Sequence, residues 1–103
     1  MWAQLLSMRL KPGKDDALPG LFDQLRAMEQ PGSGLLRTLT LRDQKDPSHI
    51  YTLVLFDSEE SARARERDER RAEGLKAVRA TMAELFDGPP EFVDLAVLSE
   101  FAP

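Results

Sequence analysis

The spacing of apolar residues constrains this chain most, because it switches between a period of two and a period of 3.6 in a fixed order. Residues 2–10 alternate, so the even positions from Trp2 to Leu10 share one face of a strand. Pro12-Gly13 ends this segment with residues typical of a turn. Residues 15–29 then carry apolar side chains at helical spacing, namely Leu18, Leu21, Phe22, Leu25 and Met28. The sequence therefore predicts a strand over 2–10 and an amphipathic helix over 15–29.

The second half of the chain repeats this order. Residues 35–41 and 50–56 are rich in residues that strands favour, and a polar loop containing Asp46-Pro47 joins them, which predicts an antiparallel hairpin. A second helix and a last strand over 92–98 follow. The order β-α-β-β-α-β predicts one domain, residues 1–103, of the α+β class with the ferredoxin-like split βαβ fold. That fold is a four-stranded antiparallel sheet with two helices on one face.

The second helix changes character along its length. It is capped either by Asp57, which forms a capping box with Glu60, or by Ser58. Its first part, residues 59–73, is almost entirely charged, and Gly74 predicts a bend before the second part. The second part carries an apolar stripe of Leu75, Val78, Met82, Leu85 and Phe86.

Composition and charge exclude several classes of protein. A net charge of −4 argues against a nucleic-acid binder, which would present a basic face. No segment approaches the ~20 apolar residues of a membrane span, and the N-terminus alternates like a strand instead of resembling a signal peptide. The absence of cysteine favours an intracellular protein, so we expect a cytoplasmic location with neither membrane nor nucleic acid as partner.

The predicted strands are apolar on both faces, although helices cover only one. In the third strand Ile50 and Val54 lie on one side, and Leu53 and Leu55 on the other. A bare apolar sheet face is uncommon on a soluble monomer, and burying four leucine-sized side chains contributes about 6–12 kcal/mol gross. The sequence thus predicts a homodimer through the open sheet face. The alternative is that twist and loops of the same chain cover this face.

His49 is the one histidine in the chain and lies at the end of the hairpin loop. A single imidazole without a second histidine or a cysteine is poor material for a metal site, and no orienting partner is nearby in sequence. We therefore expect His49 to be a solvated loop residue.

Three stretches together resemble the antibiotic biosynthesis monooxygenase family of the dimeric α/β-barrel superfamily. They are RLKPGKDDAL at 9–18, PGSGLLRTLTLRDQKDPSHIYTLVLFDSEESARA at 31–64 and FDGPPEFVDLAVL at 86–98. The resemblance implies a dimer with a pocket in each subunit between sheet and helices. It also implies cofactor-independent oxidation of polycyclic aromatic substrates or, in other relatives, oxidative haem degradation.

The chain departs from the family pattern at several positions. Phe56 stands where relatives commonly have tryptophan, and Arg70 where they have histidine. The asparagine, tryptophan and histidine of haem-degrading relatives fall on Leu6, Arg65 and Leu75. Leucine can neither ligate iron nor hydrogen-bond bound oxygen, so the sequence argues against haem degradation.

An aromatic substrate needs chiefly a pocket and donors for its developing charge. We expect Gln4, Leu6 and Met8 on the helix-facing side of the first strand, with Phe22 and Met82 opposite them. Gln4 is either an amide with an ordinary partner or a donor to a substrate oxygen. Methionines at such positions usually fill gaps in a core.

The charged segment 59–73 has two interpretations. It is a solvated helix face supported by the pairs Glu59–Arg63 and Glu66–Arg70, or it turns Arg65 or Arg70 inward to meet an anionic ligand.

Two functions follow from the sequence. The first is a small oxygenase that needs no cofactor or metal. It acts on an aromatic molecule of the polycyclic or quinol type, which we expect to be an anion, in a pocket between the sheet and the helices. The second is a non-catalytic homodimer that binds a small molecule or serves as a stress-related module. No catalytic residue can be named from the sequence.

Overall fold

The computed structural model describes all residues, 1–103, and contains four strands and three α-helices. In chain order these are β1 (Trp2–Arg9), α1 (Leu18–Ala27), β2 (Leu35–Arg42), β3 (His49–Phe56), α2 (Glu59–Glu66), α3 (Ala72–Leu85) and β4 (Glu91–Ala96). Single 3₁₀ turns precede α1 and α3, at Asp15–Ala17 and Glu69–Arg71. No helix has the length and apolar content needed to cross a membrane.

The four strands form one antiparallel sheet in the order β2-β3-β1-β4. Sequential strands β2 and β3 pair as the predicted hairpin, while β1 lies between β3 and β4. This topology confirms the predicted α+β ferredoxin-like fold.

The first helix is shorter than predicted. The segment begins with a 3₁₀ turn, and the α-helix runs from Leu18 to Ala27 with Pro19 in its first turn. Asp15 forms an ion pair with Arg42 at 2.7 Å. No side chain caps the start of α1. The helical segment begins at the predicted Asp15, although its first turn is 3₁₀, and the α-helix ends two residues before the predicted Glu29.

The second helix breaks before Gly74, so the predicted position of the bend is wrong. Helix α2 ends at Glu66, and α3 begins at Ala72 after the 3₁₀ turn. Gly74 lies inside α3, where a Cβ on it would be 2.6 Å from the Cβ of Met28. This glycine is therefore needed for close approach of α3 to the end of α1.

Ser58, and not Asp57, caps α2. The Ser58 Oγ accepts a 3.1 Å hydrogen bond from the backbone N–H of Ser61, and the Ser58 backbone is extended. The Asp57 carboxylate accepts a bond from the Ser58 hydroxyl instead.

The core lies between the helices and the even-numbered face of β1 and β3. Its main cluster combines strand, helix and loop residues: Met8, Leu10, Leu18, Leu21, Met28, Ile50, Val78, Leu85 and Phe86. A smaller cluster packs Trp2 and Phe56 against Ala62 of α2. The last strand ends at Ala96, two residues earlier than predicted.

The opposite sheet face carries no helix. Its central rows, read across the sheet, are Arg37–Leu55–Ala3–Leu95 and Leu39–Leu53–Leu5–Val93. A bulge between Leu35 and Arg37 places Leu35 against the small core cluster while Leu39 and Leu41 are on the open face. Four large side chains are exposed there: Leu39, Leu41, Val93 and Leu95.

Candidate functional site

The helices leave one strip of their own side of the sheet uncovered, along β1 and β4. Leu6 pairs in register with Phe92, and Gln4 with Asp94, so these four side chains form the floor of the strip. Phe92 is 57% exposed, whereas Leu6 packs partly against the main core cluster. The strip thus offers an aromatic and aliphatic surface beside a polar pair.

Asp94 is the centre of the polar end of this strip. Its Oδ1 accepts a 3.0 Å hydrogen bond from Gln4 Nε2, and its Oδ2 accepts a 2.8 Å bond from Arg63 Nη2. These bonds, from Gln4 and then from Arg63, hold the pKa of Asp94 below its usual value. The carboxylate is therefore ionised at neutral pH and acts as a hydrogen-bond acceptor.

Arg63 connects the strip to α2. It also pairs with Glu59 at 3.2 Å and Glu66 at 3.0 Å, and its guanidinium carbon lies 5.1 Å from the centre of the Trp2 ring. Three carboxylates around one guanidinium leave this end of the strip net negative. Such a surface favours a neutral hydrogen-bond donor over an anion.

The predicted pocket residues do not all meet at this strip. Gln4 and Leu6 lie in its floor, while Met8 is buried in the main core cluster. Phe56 is buried beside Trp2, with ring centres 6.0 Å apart. The Gln4 amide has found a partner within the chain, which is the first of its two predicted interpretations.

Phe22 and Met82 are partly buried, and both pack against the main core cluster, which contains Met8 of β1. Leu6 of β1 packs against the same cluster. The expected role of Phe22 and Met82 as pocket residues opposite β1 stays a prediction.

The charged segment does turn inward, at Arg65. Its guanidinium donates to Glu29 at 2.6 Å and lies 5.5 Å from the centre of the Phe56 ring. Burial opposes ionisation of Glu29, but hydrogen bonds from Arg65 and Ser33 outweigh it and lower the pKa of this carboxyl. Arg65 therefore already has an internal counter-ion.

Arg70 points outward and pairs with Asp68 at 2.7 Å. This contact lowers the pKa of Asp68 to about 2. The predicted pair Glu66–Arg70 is wrong, because Glu66 binds Arg63 instead, while the predicted pair Glu59–Arg63 is present.

Arg71 is a buried arginine that was not predicted from the sequence. It is 6% exposed, its Nε has no hydrogen-bond partner, and burial lowers its pKa. The sequence contained an indication of this burial. Arg71 precedes Leu75 by four residues and therefore lies on the same helix face as the apolar stripe that begins at Leu75. Asp94 and Phe92 had a signal too, since they alternate with the apolar Val93 and Leu95.

His49 is not a solvated loop residue, so that prediction is wrong. It is the first residue of β3 and is partly buried on the open sheet face. Its Nε2 lies 2.6 Å from Ser7 Oγ, and its Nδ1 lies 3.2 Å from Tyr51 Oη. Tyr51 is two positions away, so strand alternation alone places both rings on one face.

Two surface concavities lie away from this strip. One, of about 360 Å³, is at the hairpin end of the sheet and is lined by Leu10, Lys11, Pro12, Asp15, Arg42, Pro47 and Ser48. The other, of about 300 Å³, is at the contact of α1 with α3 and is lined by Gln24, Ala27, Met28, Gln30, Arg70, Gly74 and Ala77. Of the eight predicted pocket residues, these concavities include only Arg70.

No family model matches the chain, and no curated protein matches its sequence. Solved structures do match over almost the whole length. A candidate antibiotic biosynthesis monooxygenase from Chloroflexus aurantiacus is 23% identical with a TM-score of 0.69, covering 98% of this chain and 96% of that one. A second such candidate, from Caulobacter crescentus, is 17% identical with a TM-score of 0.75, covering 95% of this chain and 90% of that one.

A protein of unknown function from Nitrosomonas europaea is 22% identical with a TM-score of 0.73, covering 99% of this chain and 93% of that one. At these identities the likeness concerns the fold. The chain has the fold shared by proteins described as antibiotic biosynthesis monooxygenases.

Proposed function

We propose that this protein is a monooxygenase-type enzyme that oxidises a neutral, electron-rich aromatic molecule bound on the strip between β1 and β4. The observation that carries the proposal is the exposed Phe92 ring next to an ionised Asp94 whose two oxygens are held by Gln4 and Arg63. An aromatic ring would pack on Phe92 and Leu6. Its hydroxyl would donate to Asp94.

The electrostatics of the strip support a neutral substrate. Arg65 and Arg70 are already paired with Glu29 and Asp68, so neither offers a free positive charge. The group nearest the aromatic surface is a carboxylate with a lowered pKa. A phenol, or the enol form of an anthrone, brings a hydroxyl that donates a hydrogen bond, and it fits this arrangement better than an anion does.

The substrate itself would supply the electrons that reduce O₂. A hydrogen bond to Asp94 makes the phenol oxygen more electron-rich, which favours electron transfer from the ring to O₂. For an anthrone, the ring CH₂ loses two hydrogens and gains one oxygen atom, while the second oxygen atom of O₂ leaves as water. Both hydrogens leave in that water molecule. Asp94 would accept the hydrogen bond of the enol hydroxyl while this group loses its proton to the reduced oxygen, and Gln4 and Arg63 would hold the carboxylate in place.

Oxygen uptake with anthrone tests this proposal. We expect turnover above the rate of substrate autoxidation, at least a tenfold lower kcat for Asp94→Asn, and a raised KM for Phe92→Ala. Gln4→Leu should lower kcat with folding intact. Thr38→Ala, on the exposed helix-facing side of the far strand β2, is the matched control and should retain full activity. Absence of uptake above autoxidation, or an Asp94→Asn variant as active as the unmodified protein, contradicts the proposal.

One observation favours the non-catalytic alternative. The space between sheet and helices is filled by side chains such as Met8, Leu21, Ile50 and Val78, so a ligand would lie on the strip and not in an enclosed chamber. A protein that binds anthrone without oxygen uptake, with affinity lost in Phe92→Ala, would be a binding module.

We also propose that two copies associate through the open sheet face. The support is the row of exposed leucines and valines on that face, together with half-buried Leu5, Leu53 and Leu55 between them. Sheets packed face to face bury such residues at a spacing of about 10 Å. Sedimentation at micromolar concentration should give a particle of twice 11.6 kDa.

A further inference from the structure

Residues 97–103, the segment that follows β4, expose two large apolar side chains. Leu98 is 97% exposed and Phe101 is 89% exposed, more than any other large apolar residue of the chain. Beyond the bond from the Val97 N–H to the Met1 carbonyl, the backbone of this segment forms no hydrogen bond within the chain. A segment with unpaired backbone and exposed apolar groups is suited to binding another surface.

The segment leaves the sheet at a defined place. Ala96 pairs with Trp2, Trp2 with Phe56, and Phe56 with Leu35, so the segment departs from the same end of the sheet at which β2 begins. The two positions are on opposite edges of the sheet. Consider two copies that pack face to face around a two-fold axis parallel to the strands. In this arrangement β4 of one copy lies over β2 of the other, and the end of β4 is close to the start of that β2.

The chain is long enough to cross between such sheets. Stacked sheets are separated by about 10 Å, and the four residues from Ala96 to Glu100 reach about 13 Å when extended. Glu100 can therefore contact the second sheet without any change in β4.

Charge indicates where the segment binds. Arg37 lies on the open face near the start of β2 and forms no ion pair within the chain, and neither does Glu100. Arg9, on the same face, is already paired with Asp46. Glu91 lies in register with Ser7, at the other end of β4 from the departing segment. Arg37 is thus the unpaired cation nearest the expected path of Glu100.

We propose that residues 97–103 are an arm exchanged between two copies of the chain, with Glu100 paired to the partner's Arg37. Leu98 and Phe101 bury their side chains on the partner subunit. This inference rests on the dimer of the proposed function, and it fixes the orientation of that dimer.

Cysteine cross-linking tests the exchange, and the absence of cysteine from the chain makes the background low. An Arg37→Cys chain carrying a tag is mixed with an Arg37-containing Glu100→Cys chain, allowed to exchange subunits and oxidised mildly. We expect a disulfide between the two different chains, at a yield at least fivefold above a control in which Arg67→Cys replaces Arg37→Cys. Equal yields would overturn the proposal.

Charge exchange tests the ion pair separately. Arg37→Glu and Glu100→Arg should each raise the dissociation constant of the dimer about two- to fivefold at low salt, the range expected for an exposed pair. The double variant should return to within about twofold of the unmodified protein. If the two increases in the dissociation constant multiply in the double variant, the pairing is overturned.

The apolar contact has its own control. The double change Leu98→Ser with Phe101→Ser should weaken the dimer at least tenfold, whereas Ser99→Ala should leave it unchanged. If the unmodified protein sediments as a monomer, the proposed dimer fails together with the arm. If it sediments as a dimer whose dissociation constant is insensitive to the loss of Leu98 and Phe101, only the arm is overturned.

Discussion

Arg65 and Glu29 form a 2.6 Å ion pair across 36 residues of sequence, and this pair joins α2 to the turn that follows α1. Both side chains are mostly buried, and Ser33 donates a further 2.7 Å bond to the same carboxylate. Arg71 contributes a second buried positive charge nearby. Glu29 is therefore the ion-pair partner of Arg65 and one of three carboxylates, with Asp68 and Glu66, whose negative charge acts on Arg71.

Replacing Glu29 by Gln should destabilise the fold by about 1.5–3 kcal/mol, because it leaves the mostly buried guanidinium of Arg65 without its ion-pair partner. The value is below that of a fully buried pair, since a quarter of the Glu29 side chain is exposed. Urea unfolding at pH 7 measures it. The control is Asp23→Asn, which removes an exposed ion pair with Arg26 and should change stability by less than about 0.5 kcal/mol. Similar losses in both variants would contradict the prediction.

The same pair predicts a dependence on pH. The pKa of Glu29 is lower in the folded chain than in the unfolded chain, so its contribution to stability is present above the unfolded value of about 4.3. It is lost as the pH falls through the folded value. The difference in unfolding free energy between the unmodified protein and Glu29→Gln should be constant above about pH 5 and shrink below pH 4. A difference that stays constant down to pH 2 would argue against this linkage.

Two glycines in helices should respond to alanine with opposite signs. At Gly74 the added Cβ meets the Met28 Cβ, which cannot swing away as a side-chain end would, so Gly74→Ala should destabilise by about 1–3 kcal/mol. At Gly20, in α1, there is open space, so Gly20→Ala should stabilise by about 0.5–1 kcal/mol. Thermal unfolding of both variants checks the pair, and the same sign for both would show that close packing does not act at Gly74.

Ser58→Ala should cost about 1 kcal/mol, because the N–H of Ser61 loses its capping acceptor. Ser99→Ala, in the exposed C-terminal segment, is the matched control and should be neutral. Chemical unfolding of the two variants provides the measurement. Equal stability would mean that water replaces the cap without cost.

The open sheet face can be tested with two adjacent residues of β2. Leu39 lies on that face and Thr40 on the helix-facing side. Leu39→Arg should convert a dimer into a monomer at micromolar concentration, because a charge would be buried at the interface. Thr40→Arg should leave the dimer intact. Sedimentation of the two variants distinguishes the faces, and equal behaviour would contradict association through the open one.

The sequence was sufficient for the order of elements and the topology of the sheet, because the apolar periods are strong in each segment. It was insufficient where two signals of similar strength competed. The break between α2 and α3 is an example, since Gly74 is the obvious weak point of a helix. The actual break, at Arg67–Asp68, depends on Asp68 accepting the N–H of Arg70.

The candidate site was less predictable, because its geometry depends on contacts between distant residues. Gln4 was identified as unusual, but its partner Asp94 is 90 residues away. The choice between Arg65 and Arg70 required knowing which side of α2 meets Glu29. His49 acquires its Ser7 contact only when β1 and β3 pair, although its contact with Tyr51 follows from alternation.

The bulge in β2 makes Leu36 a surplus residue. Leu35 pairs with Phe56 and Arg37 with Leu55, so their partners are consecutive although one residue separates them. Removing Leu36 would leave every later leucine and threonine of β2 facing its present side. Evolution could therefore delete one residue from β2 at the bulge without moving any later side chain to the other face of the sheet. A deletion between Thr38 and Leu41 would instead move the side chains on one side of it to the opposite face.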